Sequence, residues 1–115
     1  MSEITTPQFT FSTEQQPDRT IVHCRGRLIG DAPSMLQTEV KALIAPGGRI
    51  VLDLTDVTQM DSTGIGAIVS LYVSAKSAAC QLELVNLGKQ ILRLFSMTNL
   101  LSLFEPVGDS TFRIP

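Results

Sequence analysis

Apolar and polar positions alternate or recur along this chain in a way that predicts its elements one after another. Phe9 and Phe11 alternate with polar neighbours, as in a short strand, behind a polar, loosely ordered lead-in over residues 1–8. Gln15-Gln16-Pro17-Asp18 has the composition of a turn, and the β-branched run TIVHCRG, residues 20–26, predicts a second strand. RLIG, residues 27–30, extends that strand or bends into a third pairing segment. Asp31 then stands where a helix cap is wanted, with Pro33 tolerated in the first turn. Leu36, Val40, Leu43 and Ile44 recur at helical spacing until Pro46-Gly47-Gly48 stops the pattern.

RIVLDL, residues 49–54, is nearly continuous in apolar character and predicts a central strand covered on both faces. A second helix is expected over 61–79, with Ile65, Ile68, Val69 and Tyr72 as its stripe and Leu71 and Val73 widening it. Its polar positions are few, so it is either deeply packed or meets a partner. QLELVNL, residues 81–87, completes a strand–helix–strand unit, which calls for parallel strands and a right-handed crossover. Gly88 opens a further helix carrying Ile91, Leu92 and Phe95 on one side, and a last short strand is expected around Leu103 and Phe104. The pattern is that of an α/β domain, one unit over residues 1–115.

Composition narrows the function. With 115 residues and 43% hydrophobic content, the chain can build one core without disulfides or metals. The net charge of −2 and the lack of a basic run give nucleic-acid binding no electrostatic support. The two cysteines, Cys24 and Cys80, are isolated from each other and read as small core residues of a reducing compartment. The start, MSEITTPQFTF, has neither the basic nor the apolar region of a signal peptide, and no apolar run is long enough to span a bilayer. The expectation is a soluble, cytoplasmic protein with no membrane partner.

Catalytic and metal chemistry finds little to work with. The single histidine, His23, adjoins Cys24, but neighbours in a strand point to opposite faces, so the two should not meet. Asp53, Asp56 and Asp61 cluster near a strand end, without a second catalytic group; hydrogen bonding and capping account for them. Gly64-Ile65-Gly66 is followed by Val69 where a third glycine of a dinucleotide loop would fall, and no GK[ST] occurs. No cofactor, metal or catalytic residue is expected.

QMDSTGIGA, residues 59–67, is the unusual stretch. Asp61 can cap the helix, and Ser62 and Thr63 lie at the positive end of its dipole. Gly64 and Gly66 each cost roughly 1 kcal/mol relative to alanine in a helix, so another backbone or a partner should come close there. Two readings fit. One is a helix cap with glycines for helix–sheet contact. The other is a phosphate acceptor at Ser62, where added charge would be tolerated by the helix but would repel a docked partner.

The run IVLDLTDV, the motif Asp61-Ser62-Thr63-Gly64-Ile65-Gly66, and the later segments LELVNL and ILRLFSMTNL resemble the STAS domain family, whose best-known members are bacterial anti-sigma factor antagonists. The resemblance covers nearly the whole chain. It implies a small mixed β-sheet with helices mainly on one face and no catalysis by the domain. It also implies a partner that is an anti-sigma factor with serine kinase activity, and release of the sigma factor when that partner is bound. The kinase would phosphorylate Ser62, ahead of Thr63, and a phosphatase would reverse it. Asp31, Asp56, Asp61, Ser62, Thr63, Gly64 and Gly66 are then the partner-binding positions. Two features depart from the family pattern. The acid that often follows the early G-x-L comes here only at Asp31, after Gly26-Arg27-Leu28-Ile29, and the usual final helix is shortened or missing after Phe104. The alternative is a non-switching STAS interaction subunit of a scaffold or transport complex.

Overall fold

The computed structural model describes residues 3–5, 8–108 and 111–113. Among these, seven strands and three α-helices follow in the order β1 (Glu3–Thr5), β2 (Phe9–Gln16), β3 (Arg19–Leu28), α1 (Ala32–Lys41), β4 (Arg49–Met60), α2 (Ser62–Ser77), β5 (Gln81–Val85), α3 (Lys89–Met97), β6 (Glu105–Pro106) and β7 (Phe112–Arg113). One mixed sheet runs β1-β2-β3-β4-β5-β7-β6, with β3, β4 and β5 parallel and the flanking pairs antiparallel. This is the small α/β sheet that the strand–helix–strand pattern predicts.

Strand alternation decides where the helices go. Phe9, Phe11, Val22, Cys24, Ile50, Leu52, Leu54, Leu82 and Leu84 share one buried core with Leu36 and Val40 of α1, Ile68, Leu71 and Ala75 of α2, and Ile91 and Phe95 of α3. The alternate positions, among them Ser12, Glu14, His23, Arg25 and Asp53, are half-buried or exposed on the opposite face. That finding corrects the expectation that residues 49–54 are covered on both sides. On the helix-free face Val51 is 5% exposed and its neighbour Glu83 7%, with Ile21 and Val85 half-buried beside them, and polar side chains hold other positions such as Ser12, Glu14, His23 and Asp53.

The strand β4 runs to Met60, six residues past its expected end. It does so because β3 continues alongside it to Leu28, pairing Leu28 with Met60. Register shifts between His23 and Arg25 and between Gly26 and Arg27 let the two strands remain parallel over that length. Gly26 is at φ +102°, and a Cβ there would lie 2.2 Å from the Gln8 carbonyl oxygen, to which the Arg27 amide donates at 2.8 Å. Arg27 and Leu28 therefore continue β3 rather than start a separate pairing segment, and Ile29 and Gly30 lie beyond its end.

The other differences lie at element ends. α1 stops at Lys41, so Leu43 and Ile44 reach the core from turns after the helix, where their amides donate to the Val40 and Lys41 carbonyls. Leu103 belongs to a short 3-10 helix, Leu100–Leu103, and the strands come later, as β6 and β7. A short apolar run such as LLSLF is ambiguous by periodicity alone. Here Asn99 at φ +61° ends the preceding helical path, and Phe112 rather than Leu103 pairs beside Leu84. No further helix follows Phe104 among the described residues. The lead-in over 1–8, expected to be loosely ordered, contains β1, because β2 offers an open edge and Ile4 and Thr5 are β-branched; residues 1, 2, 6 and 7 lie outside the described residues.

Candidate functional site at the N-terminus of α2

Asp61 sets up the start of α2. Its backbone is extended, and its Oδ1 accepts hydrogen bonds from the amides of Thr63 at 3.0 Å and Gly64 at 3.1 Å and from the Thr63 hydroxyl. These satisfy donors that the first helical turn leaves without intrahelical partners. The Thr63 hydroxyl, foremost, holds the Asp61 carboxyl below the usual carboxylate range; desolvation opposes it, and the amides of Gly64, Gly30 and Thr63 add to the lowering. The expected cap is thus formed, and the Gly30 amide adds a tie to the β3–α1 turn that sequence reasoning missed. The signal for it was faint: a glycine at φ +62° just after the end of β3. Asp61→Ala should leave the core intact and fray the first turn. Hydrogen exchange at the Thr63 and Gly64 amides should accelerate strongly, while the amides of β4 and β5 keep their protection.

The two hydroxyls of the motif differ in what they touch. Ser62, the first helical residue, is exposed, and its hydroxyl has no protein partner among the described residues. The hydroxyl of Thr63 is committed to Asp61. A group attached to Ser62 would sit at the positive end of a 16-residue helix without displacing an existing hydrogen bond.

The glycines also divide. Gly64 is buried; a Cβ there would stand 2.7 Å from the Leu28 carbonyl oxygen and 2.5 Å from Met60 Cγ. The close backbone is that of the β3 end, so Gly64 serves contact within the fold and presents no surface to a partner. Gly66 is exposed, with nothing within 4 Å of its Cβ position.

Asp31 and Asp56 stand differently from the expectation. Asp31 occupies the N-cap position of α1 but its side chain makes no capping bond. Its backbone is helical, at φ −85° and ψ −14°, where the carboxylate does not reach forward, and Pro33 removes one of the amides it would bond. It remains exposed, one residue after the Gly30 tie to Asp61. Asp56 is not in a loop beside Ser62. It lies within β4, ion-paired with Arg25 at 3.8 Å on the helix-free face. Met60 lies four positions further along the strand, about 13 Å of rise. The structure brings together Asp31, Asp61, Ser62 and Thr63, and leaves Asp56 out.

α2 itself is packed on several sides, which accounts for its few polar positions. Its buried line is Gly64, Ala67, Ile68, Leu71 and Ala75, with Ile65, Val69 and Tyr72, three of the expected stripe, only half-buried. The small residues bring the helix close to its neighbours. α1 reaches it through the Gln37 amide, 2.8 Å from the Ser70 hydroxyl, and Tyr72 meets the ring of Phe104 edge-on at 5.2 Å. Val73, 54% exposed, is its main apolar residue in solvent. Among the described residues no three His, Cys, Asp or Glu side chains are placed to share a metal ion. Burial pushes the Cys24 thiol well above its ordinary range, so it is no nucleophile.

The family model described as STAS domain matches residues 10–112. The anti-sigma-B factor antagonist of Bacillus subtilis is 30% identical over 84 residues, spanning 73% of this chain and 77% of that protein. A crystal structure of an anti-sigma factor antagonist from Mycobacterium paratuberculosis superposes with a TM-score of 0.73 over 86% of each chain, at 20% identity. The phosphorylated form of SpoIIAA, a Bacillus cell fate determinant, superposes with a TM-score of 0.62 at 16% identity, over 78% of this chain and 84% of that one.

Proposed function

The chain belongs to the STAS domain family, and on that premise we propose that it is an anti-sigma factor antagonist whose binding is switched off by phosphorylation of Ser62. In this reading it acts as one domain that performs no catalysis. It docks an anti-sigma factor with serine kinase activity through the Asp31–Asp61–Ser62–Thr63 end of the molecule and Gly66, and so releases the sigma factor. A phosphatase restores the unmodified serine. The exchange belongs in the cytoplasm, where the ATP and the sigma factor are; no helix among the described residues is long and apolar enough to cross a membrane.

The observation that carries this reading is the contrast between the unbonded, exposed hydroxyl of Ser62 and the committed hydroxyl of Thr63. A phosphate adds roughly −1.5 to −2 charge at neutral pH. The dipole of α2 favours an anion at that end by about 0.3–1 kcal/mol, so the fold tolerates it. The neighbouring Asp61 carboxylate and the new dianion together make the same surface repulsive and bulky for a protein that had been docked there.

Incubation with ATP and the cognate anti-sigma kinase, followed by peptide mass spectrometry, should place one phosphate on Ser62. Ser62→Ala should bind the kinase and resist modification. Ser62→Asp should bind about 10- to 100-fold more weakly, roughly 1.4–2.8 kcal/mol, with its unfolding free energy within about 0.5 kcal/mol of the parent. Equal binding by both variants, with no phosphate found, would instead support a non-switching interaction subunit of a scaffold or transport complex.

A further inference from the structure

The helix-free face of the sheet carries a side-chain cluster to which the proposed switch assigns no part. His23, at the middle of β3, places Nε2 2.9 Å from Glu14 Oε1 on β2 and Nδ1 3.2 Å from Asp53 Oδ2 on β4. Both partners are carboxylates, which only accept hydrogen bonds when ionised. A neutral imidazole has one N–H and can satisfy one of them; both contacts are made together only when both ring nitrogens carry protons. We propose that His23 is the imidazolium of a carboxylate–imidazolium–carboxylate bridge that ties β2 to β4 across β3, making a proton-dependent clamp on the open face of the sheet.

The surroundings favour the charged form. Glu14 is further held by the Gln16 amide at 3.0 Å. Asp53 Oδ1 accepts from the Thr55 amide at 3.0 Å, from the Thr55 hydroxyl and, at 3.4 Å, from Asn86. Both carboxylates are therefore fixed in place whether or not the ring is protonated. The next charges along this face cancel in pairs: Arg25 with Asp56 at 3.8 Å, and Arg49 with Glu83 at 2.7 Å. Arg19 lies at the start of the same strand beside Asp18, at 3.7 Å. In the β1–β2 register Glu3 stands opposite Ser12. No cation among these faces the ring closely enough to replace its proton.

The bond to Glu14 raises the His23 pKa above its ordinary 6.5, partial burial opposes this, and Asp53 adds to the rise. Glu14 is lowered, first by Gln16 and then by His23. For Asp53, burial works upward, but the bonds from Thr55, Asn86 and His23 outweigh it and leave the carboxyl lowered. The signs follow. The histidine contribution is fully present below about 6.5, the unfolded value, and is lost as pH rises through the raised folded value. The carboxylate contributions are present above about 4 and are lost in acid. The clamp is complete in the window between. Its position also matters. His23 adjoins the register shift that turns the far half of β4 toward Met60 and the start of α2, so loss of the proton loosens the strands just where the register changes.

His23 is the chain's single histidine, so its titration can be read on untagged protein without assignment ambiguity. Imidazole ¹⁵N and ¹³C shifts followed from pH 5 to 9.5 should show both ring nitrogens protonated at pH 7 and a midpoint above 6.5. Glu14→Gln and Asp53→Asn should each move the midpoint down, and the double variant should bring it to 6.5 or lower. The urea midpoint of the parent should fall from pH 6 to pH 9, whereas His23→Gln should lose that decline. A parent midpoint at or below 6.5, or a single protonated ring nitrogen at pH 7, overturns the proposal on the unmodified protein. An undiminished decline in His23→Gln overturns the clamp.

Discussion

Phe95→Ala is expected to destabilise the protein by about 3–5 kcal/mol. Phe95 is fully buried and heads the largest such side chains. It lies four residues after Ile91 on α3, a helix of only nine residues whose other buried side chain is Ile91. A helix this short does not hold itself together in water; its stability comes from the docked face. Removing the ring deletes apolar burial and leaves a cavity that the sheet, fixed on its other side by strand pairing, cannot collapse to fill. A small domain has about 5–15 kcal/mol of stability in total, so this one ring accounts for a large share. Urea unfolding followed by circular dichroism measures the loss. Hydrogen exchange should show α3 opening before β3, β4 and β5.

Gly64→Ala and Gly66→Ala are expected to part in sign, although they stand two residues apart in one helix. At Gly64 the new Cβ meets the Leu28 carbonyl oxygen at 2.7 Å and Met60 Cγ at 2.5 Å. The methionine can turn aside, but the carbonyl belongs to the end of β3 and moves only with the strand. Overpacking of this kind costs about 1–3 kcal/mol, against a gain of up to about 1 kcal/mol in helix propensity. A net loss of about 2 kcal/mol follows from a contact at the upper end of that range. At Gly66 the Cβ meets nothing, so only the propensity gain remains and stability should rise by up to about 1 kcal/mol. Denaturation midpoints of the two variants measure both effects. Partner binding then separates the roles. Gly66→Ala should weaken binding of the anti-sigma factor despite the stabler fold, if the low surface at Gly66 is what the partner covers. Unchanged binding would remove Gly66 from the interface.

The motif was legible because its chemistry is local. Asp61 bonds Thr63 and Gly64, two and three residues on, and any chain with that order at a helix start can form the cap. The same holds for Ser62 as the first helical residue. Asp31 looked equally suited, but a local rule was overridden there: the backbone turns helical one residue early and Pro33 lacks the donor. Asp56 was misplaced because nothing in VTQM indicates that β4 continues; the length of a parallel strand depends on how far its neighbour runs. For a related reason the short strand expected around Leu103 and Phe104 falls one residue later, as β6, and β7 has no signal in the sequence: each has two residues and exists only through pairing.

The sequence by itself determined the α/β order, the central strands, the buried identity of Leu36, Ile68 and Phe95, and the capped Asp-Ser-Thr-Gly start of α2. All of these follow from periodicity or from bonds between residues within four positions. Only the tertiary structure decided which glycine is packed and which is open, where Asp56 points, and that His23 stands between two acids 9 positions upstream and 30 positions downstream. Each of those depends on an atom delivered from a distant segment. Periodicity says which face a residue occupies, and it does not say what arrives opposite.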